Sequence, residues 1–329
     1  MEVRRTNIYD FEDICTFNQR IYPEKKVNQE EYIKFWFSKD KDACNTSIIC
    51  RDDEGNIVGQ NLYSSMQYFY KGNLFKSFWN FDLIIEEKYR KGGWGADILM
   101  KGKEFYPSIF ATGSNDNALK MNLKLGHKLL GTLRKYIGIT NPVYVLSSLA
   151  RGYVPVEKFP SEIQSNEVKF IKVEKSDLPF FSLPFNDGLW EPARDNDYLS
   201  WRYFNNLHQY AFYKSTSNSD YFVLRTICIS HITMMLLVDY RCNVDVSHPF
   251  EIIYKAVVKV MNKVNLGVLL ASSSLSTIDE VLESHHFKSI GRPRPIVGLI
   301  KIKDRQQDID ARNFAFVTYA DSDGETNWL

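Results

Sequence analysis

Residues 78–96 read FWNFDLIIEEKYRKGGWGA. The first eight, Phe78–Ile85, form an apolar run of strand type. Three glycines, Gly92, Gly93 and Gly95, then stand among Arg90, Lys91 and Trp94, and Ala96, Ile98 and Leu99 follow at helical spacing. The stretch therefore reads as a strand, a tight turn and a helix from about Gly93 to Phe105. Glycine lets the backbone turn sharply and approach a ligand. A helix start leaves up to four N–H groups without intrahelical partners, and the macrodipole places roughly half a positive charge there. With Arg90 and Lys91 alongside, this suits a phosphate or pyrophosphate. No Gly-Lys-Ser/Thr closes the loop, so it is not a nucleotide-triphosphate loop. The order Gly-Gly-x-Gly also differs from the dinucleotide fingerprint, which opens a βαβ unit rather than following a meander.

Outward from this stretch, MEVRR reads as a short strand, and Asp10 is placed to cap a helix through about Ile21. Asn28 and Glu31 form a capping pattern before a second helix. Residues 46–70 read as two strands around a turn at Asp53–Gly55, and 74–87 as a third. After the glycine helix come a strand (SIFATGS), a helix over Asn115–Lys124 and a strand (HKLLGTLRKYIGI). Residues 141–166 have connector composition, with a short helix at Val143–Ala150. From VKFIKV onward the chain gives strand, helix, three strands, helix, strand, helix, strand, so from the strand meander onward the order of the first half recurs. The expected fold class is α/β (an α+β mixed sheet), as two tandem units: 1–140, a connector at 141–166, and 167–329. A length of 329 residues fits two cores better than one.

Arg90-Lys91-Gly92-Gly93-Trp94-Gly95-Ala96 matches the R/Q-x-x-G-x-G/A signature of the GNAT superfamily, the acetyl-CoA-dependent acyltransferases. FATGSNDNALKMNLKLGHKLLG resembles the family's next strand and helix, with His127 replacing an aromatic after Leu125-Gly126. The resemblance covers about residues 1–140. It implies acetyl-CoA as acyl donor. The backbone of Tyr89–Ala96 would hold the pyrophosphate, so Arg90, Lys91, Gly92, Gly93, Trp94, Gly95 and Ala96 are cofactor residues. Leu83, Ile84 and Ile85 would pair with the pantetheine arm, a splay between this strand and SIFATGS would admit the thioester, and Asn115 and Asn117 would contact the cofactor. The implied activity is acetyl transfer to an amine of a small acceptor, an amino sugar or nucleotide-linked amino sugar, with an amino-acid or peptide amine as the next choice. A non-catalytic acyl-CoA-binding or interaction protein is the rival class.

Acyl transfer needs a neutral amine, an oxyanion donor and protonation of the leaving thiolate. The family often places a tyrosine acid four residues before the glycine that here is Gly126. That position is Asn122, which donates a hydrogen bond but supplies no proton near neutral pH. Tyr136, on the following strand, is the substitute. For the base, Asp82 lies within an apolar strand, where an unpaired carboxylate is costly, and Glu86 reads as surface.

The second half has no glycine where the loop would recur, at VDYRCNVDVSHPFEII, and carries Asp239, Asp245 and Pro249 there. Carboxylates repel a pyrophosphate, so this half reads as a degenerate copy that shapes the acceptor site. Its aromatic and cationic stretch LWEPARDNDYLSWRYFN supplies Trp190, Arg194, Trp201 and Arg202 as acceptor-binding residues.

The five cysteines are odd in number and form no CxxC pair, which argues against a disulfide framework or zinc site. His285-His286 reads as a helix end, and Asp321-x-Asp323-Gly lacks the rest of a calcium loop, so no metal is expected. A net charge of +1 gives no ground for a nucleic-acid partner. No run approaches the ~18 apolar residues needed to cross a bilayer, and the first residues lack a signal peptide's apolar segment. The expected location is cytoplasmic.

Overall fold

The computed structural model describes residues 1–23, 29–39, 45–151, 156, 158–178, 188–205, 207–243, 247–300 and 315–321. In chain order the elements are β1 (Glu2–Arg5), α1 (Phe11–Ile21), α2 (Gln29–Phe37), β2 (Ile48–Arg51), β3 (Ile57–Tyr70), β4 (Asn73–Ile85), α3 (Trp94–Phe105), β5 (Ser108–Thr112), α4 (Asp116–Lys124) and β6 (Lys128–Ile139). They continue with α5 (Pro142–Arg151), β7 (Glu162–Ser165), β8 (Val168–Lys172), β9 (Glu191–Pro192), α6 (Asn196–Tyr203), β10 (Ala211–Ser215), β11 (Tyr221–Ile229), β12 (Ile232–Arg241), α7 (Ser247–Lys263), β13 (Val268–Ser273), α8 (Ser276–Ser284) and β14 (Lys288–Ile300).

Two compact units result: Met1–Thr132 with Trp190–Ala193 and Arg294–Ala315, and Leu133–Leu189 with Arg194–Pro293 and Phe316–Leu329. The division expected at residue 140 is corrected by strand exchange. Each unit completes its sheet with a segment from the other half of the sequence. In the first unit β1 to β5 run in order, β4 and β5 are parallel, and the outer neighbour of β5 is the end of β14, paired from Ile296↔Thr112 to Ile300↔Ser108. In the second unit the order is β7-β8-β10-β11-β12-β13, β12 and β13 are parallel, and β13 pairs with the end of β6 from Val268↔Ile139 to Ser273↔Arg134. Both sheets are mixed and helix-covered, as the sequence implies. Within 141–166 the expected short helix is α5, and the stretch also holds β7, which pairs with β8.

Local chemistry accounts for most boundaries. Asp52 accepts from the amides of Glu54 and Asn56 and closes the β2–β3 turn. Asn115 caps α4 by accepting from the Ala118 amide at 2.9 Å. At α1 the expected cap is displaced. Asn7 and Asp10 form a capping box around a preceding 3-10 turn, and Asp10 is held by Arg4 and Arg51 instead of capping α1. Asn28 lies outside the described residues.

The first core puts Ile48, Val58, Phe78, Ile85 and Ile109 of the sheet under Ile98 of α3, with Tyr106. On the opposite face Trp36 of α2 meets Phe81, ring centroids 4.7 Å apart. Gly102, on the buried side of α3, leaves room for the Tyr63 hydroxyl, which an added Cβ would overlap. That hydroxyl accepts from Asn61 Nδ2 at 2.7 Å. Gly102→Ala is therefore expected to destabilise the protein by about 1–3 kcal/mol through overpacking, although alanine favours the helix by about 1 kcal/mol. A urea midpoint at or above that of the wild type would contradict this packing.

Candidate functional site

The ladder between the parallel strands β4 and β5 runs from Phe78↔Ile109 to Asn80↔Ala111 and then stops. Beyond it, β4 continues to Ile85 with β3 on one side, through Ile84↔Gln60 and Ile85↔Gly59. Between Leu62↔Phe81 and Gln60↔Ile84, two steps on β3 span three on β4, so β4 bulges at Asp82–Leu83. Asp82 adopts φ +55°, a left-handed conformation rare in a strand. Bulges bend a strand and raise its twist, and here the bulge lies where β4 leaves β5. The splay expected from the sequence is present. Ladder alternation turns the backbone groups of Leu83 and Ile85 away from β3, on the side of this opening, while Ile84 pairs with β3. Leu83 and Ile84 are half-buried and Ile85 is buried.

After Ile85 a 3-10 turn over Glu87–Gly92 leads to Gly93, which caps α3 with φ +81° and no side-chain cap bond. The first helical hydrogen bond there runs from the Ala96 amide to the Gly93 carbonyl. Two of the three glycines have a steric or conformational reason. Gly93 needs the left-handed conformation, and a Cβ at Gly92 would run into the Trp94 indole. Arg90 Nε donates to the Ile85 carbonyl at 3.0 Å and ties the turn to the strand end. Arg90, Lys91, Gly92 and Gly93 are exposed, and Trp94, Gly95 and Ala96 half-buried. The loop, the open strand edge and the α4 start thus belong to one unit. Asn115 spends its side-chain oxygen on the helix cap, and Asn117 is exposed beside it.

Asp82 is half-buried. The Tyr22 hydroxyl, just past α1, donates to its Oδ1 at 2.6 Å, and Gln60 Nε2 approaches Oδ2 at 3.5 Å. Gln60 and Asn18 are fully buried and exchange amide hydrogen bonds at 3.1 and 3.2 Å. Glu86 pairs with Arg20 at 3.2 Å. The sequence reading missed Tyr22, Gln60 and Asn18. The available signal was polar: Asn18 and Tyr22 lie four apart at the end of an apolar helix face, and Gln60 interrupts an apolar strand.

The other expected site residues are placed differently. Asn122 is buried. Its Nδ2 donates to Ser114 Oγ at 3.4 Å and its Oδ1 meets no partner among the described residues. His127 donates through Nδ1 to the Asn122 carbonyl, and burial pulls its pKa down to about 4, leaving the ring neutral. Tyr136 belongs to the second unit, fully buried, with its hydroxyl donating to Glu283 Oε1 at 3.2 Å. That bond commits its hydroxyl to α8 of the second unit.

Trp190 is a core residue of the first unit, stacked on Tyr70 at 4.1 Å with ring planes 6° apart. Arg194 and Arg202 are fully buried in the second unit. Arg194 binds Asp239 through Nε at 2.9 Å and Nη2 at 3.1 Å, and Asp321 at 2.6 Å. Arg202 donates to the Ala320 carbonyl and the Tyr210 hydroxyl. The reading of Trp190, Arg194 and Arg202 as acceptor contacts is therefore corrected: their polar groups and ring faces are turned to the interior. Trp201, half-buried against Tyr198 at 5.8 Å, retains some surface.

The second unit repeats the strand geometry. Its β12–β13 ladder ends at Leu236↔Leu270, and β12 bulges at Val238, between Leu224↔Leu237 and Val223↔Asp239. Asp239, beside that bulge, is sealed by Arg194, by the Tyr203 and Tyr221 hydroxyls at 2.6 and 2.9 Å, and by Thr318 at 2.8 Å. It is thus a core group rather than a charge on a loop. Asp245, Asp323, Glu325 and Cys44 lie outside the described residues. Among the described residues the other four cysteines are unpaired thiols and no metal-ligand cluster occurs. His285, which ends α8, lies 3.0 Å from Glu251. No helix of the described chain is long and apolar enough to cross a membrane.

No protein-family profile matches the chain, and no curated protein matches it in sequence. Solved structures do match in fold. A GCN5-related N-acetyltransferase from Anabaena variabilis superposes with a TM-score of 0.63 at 11% identity, over 92% of this chain and 73% of that one. A Saccharomyces cerevisiae N-myristoyltransferase with bound myristoyl-CoA gives 0.60 at 11%, over 91% and 80%. An Enterococcus faecalis protein described as a probable N-acyltransferase gives 0.59 at 10%, over 91% and 72%. The chain shares the GNAT fold of these structures.

Proposed function

We propose that the protein is an acyl-CoA-dependent N-acyltransferase that moves an acetyl group to the amine of a small acceptor. One observation carries this reading: β4 leaves β5 after Asn80, bulges at Asp82, and ends in a glycine-capped helix. The start of α3, with Arg90 and Lys91, takes the pyrophosphate of CoA. The open edge of β4 at Leu83–Ile85 pairs with the amides of the pantetheine arm, which brings the thioester into the opening. Backbone N–H groups freed by the bulge serve the oxyanion, and Asp82 accepts the amine proton. The fold neighbours named above include two kinds of N-acyltransferase, which supports acyl transfer to nitrogen.

An acetyl donor is favoured because Phe81, at the first position beyond the ladder, packs on Trp36 and fills the sheet face beside the opening. The case for a sugar acceptor rested on four side chains, three of which are buried, so the proposal stops at a small amine. The test is release of free thiol from acetyl-CoA against a panel of amino sugars, amino acids, polyamines and peptide amines. Acceptor-dependent release, faster with acetyl-CoA than with myristoyl-CoA, is expected. CoA binding without release for any amine would instead favour a binding protein, the reading that Asn122 in the acid position invites. Failure to bind CoA overturns both.

A further inference from the structure

Past the last ladder pair between β4 and β5, Asn80↔Ala111, the β5 side of the opening is made by Thr112, Gly113 and the strand beyond them, β14. The Gly113 amide donates to the Pro295 carbonyl at 3.0 Å. The next residue on β14 is Arg294, and its side chain lies across the end of β5. A Cβ added at Gly113 would stand 3.1 Å from Arg294 Nη1 and 3.4 Å from its Cδ. Arg294 is exposed and has no hydrogen-bond or ion-pair partner among the described residues. Arg20 and Arg90 are committed by contrast, the first to Glu86 and the second to the Ile85 carbonyl. Lys88 also reaches Glu86, at 3.8 Å, and Lys76 lies over Phe78.

Strand alternation sets the side on which Arg294 stands. Leu299 pairs with Ile109, and both lie in the core under α3. Gly298, Ile296 and Arg294 therefore belong to the opposite face, where Trp36 of α2 packs on Phe81. In the acyltransferase reading the pyrophosphate sits at the start of α3, on the first face. Arg294 thus borders the opening from the side left to the acceptor. Its backbone is set beforehand. Pro293 and Pro295 flank it, and a residue before proline is held in extended conformations, so little backbone freedom is lost when the guanidinium takes a ligand.

We propose that Arg294 selects the acceptor by its carboxylate, so that the small amine is an amino acid. This rests on the acyltransferase reading and goes beyond it in naming the acceptor class. A guanidinium presents its N–H donors in a planar fork that matches both oxygens of a carboxylate. In an α-amino acid a single carbon joins carboxylate and amine, so holding one end fixes the other. A carboxylate held at the end of β5 leaves the amine at the opening between β4 and β5, where that reading brings the thioester. A polyamine meets the guanidinium with like charge, and an amino sugar without an acid group offers it only neutral oxygens.

The experiment measures thiol release from acetyl-CoA by wild type, Arg294→Gln and Arg294→Lys. Each amino acid is run beside its carboxamide, with polyamines and amino sugars alongside, and rates are referred to the neutral amine. Wild type is expected to favour the acid over the carboxamide at least about tenfold in kcat/KM. Arg294→Gln should abolish that preference, chiefly through KM. Arg294→Lys should keep part of it, because an ammonium keeps the charge and loses the fork. Urea midpoints should match in all three, since Arg294 has no partner among the described residues to lose, and this separates lost recognition from lost folding. Calorimetry with acetyl-CoA alone should give one affinity for the three proteins. A weaker affinity in Arg294→Gln would assign the arginine to a cofactor phosphate and overturn the proposal. So would carboxamides used as well as acids by the wild type, or a preference that survives in Arg294→Gln; each leaves the acyltransferase reading intact. A wild type that binds acetyl-CoA and releases no thiol with any amine overturns that reading, and this proposal with it.

Discussion

Gly93→Asp is expected to weaken acyl-CoA binding at least about a hundredfold, the largest functional loss from a single substitution in this protein. Two effects add. The backbone at Gly93 sits at φ +81° with open space around it, so a side chain meets no clash but costs about 1–2 kcal/mol in a left-handed conformation. The new carboxylate then stands at the start of α3, where the pyrophosphate is proposed to bind. Two unit charges 4 Å apart repel by about 4 kcal/mol at an effective dielectric of 20, and 1.4 kcal/mol is tenfold in affinity. Gly93→Asn separates the terms. Asparagine tolerates the left-handed region and matches aspartate in size, so it should lose far less. Calorimetry reads both variants. Equal affinities for wild type and Gly93→Asp would remove the loop from the binding site.

Arg194→Ala should give the largest loss of stability. Its guanidinium is fully buried against Asp239 and Asp321. Removing it leaves two buried carboxylates without a cation, a change that typically costs about 3–5 kcal/mol. Burial alone would raise the pKa of Asp239, but the Arg194 guanidinium and the hydroxyls of Tyr203 and Thr318 overcome it and hold that carboxyl below the usual range. Burial pushes Asp321 up, against the pull of Arg194. A depressed carboxyl contributes stability that is present above its unfolded value, about 3.9, and lost as pH falls through the folded one. The Asp239 contribution in the wild type should therefore fade only in strong acid. In Arg194→Ala burial acts unopposed by the cation, the folded state takes up protons more readily, and stability should rise as pH is lowered from 7 toward 5. Urea unfolding of the two proteins at several pH values measures this. A parallel pH dependence, or a loss below about 1 kcal/mol, would mean that the network is not what holds the second unit's sheet to residues 316–321.

What the sequence discloses is decided by distance along the chain. The strand, glycine turn and helix at 78–105 are read correctly because every cue is local: an apolar run, an obligatory left-handed glycine, an apolar face at helical spacing. The Asn115 cap and the turn at Asp52–Asn56 are legible for the same reason. The same cues cannot tell which face a cation meets. Arg194 looks like a ligand donor in its own segment, yet its partners lie 45 and 127 residues away. Tyr22 and Asp82 are 60 apart, and no spacing rule joins them. The exchange of β6 and β14 is hidden for a related reason. Alternation shows that a segment is a strand with one buried face, but the choice of neighbour depends on pairing energies across the whole chain.

That exchange sets a timetable for synthesis. A ribosome delivers the chain from its N-terminus, and domains usually fold as they emerge. Here the first unit cannot close its sheet when residue 132 appears, because the strand that covers β5 is Arg294–Ile300. Until then the outer edge of β5 is a row of unsatisfied amides and carbonyls, the kind of surface that recruits stray strands. The nascent chain must wait through most of its translation with that edge bare, which makes it a natural client for chaperones. It also makes residues 1–140, cut out alone, a poor choice for expression: the fragment would carry the whole glycine loop and lack the strand that seals the sheet behind it.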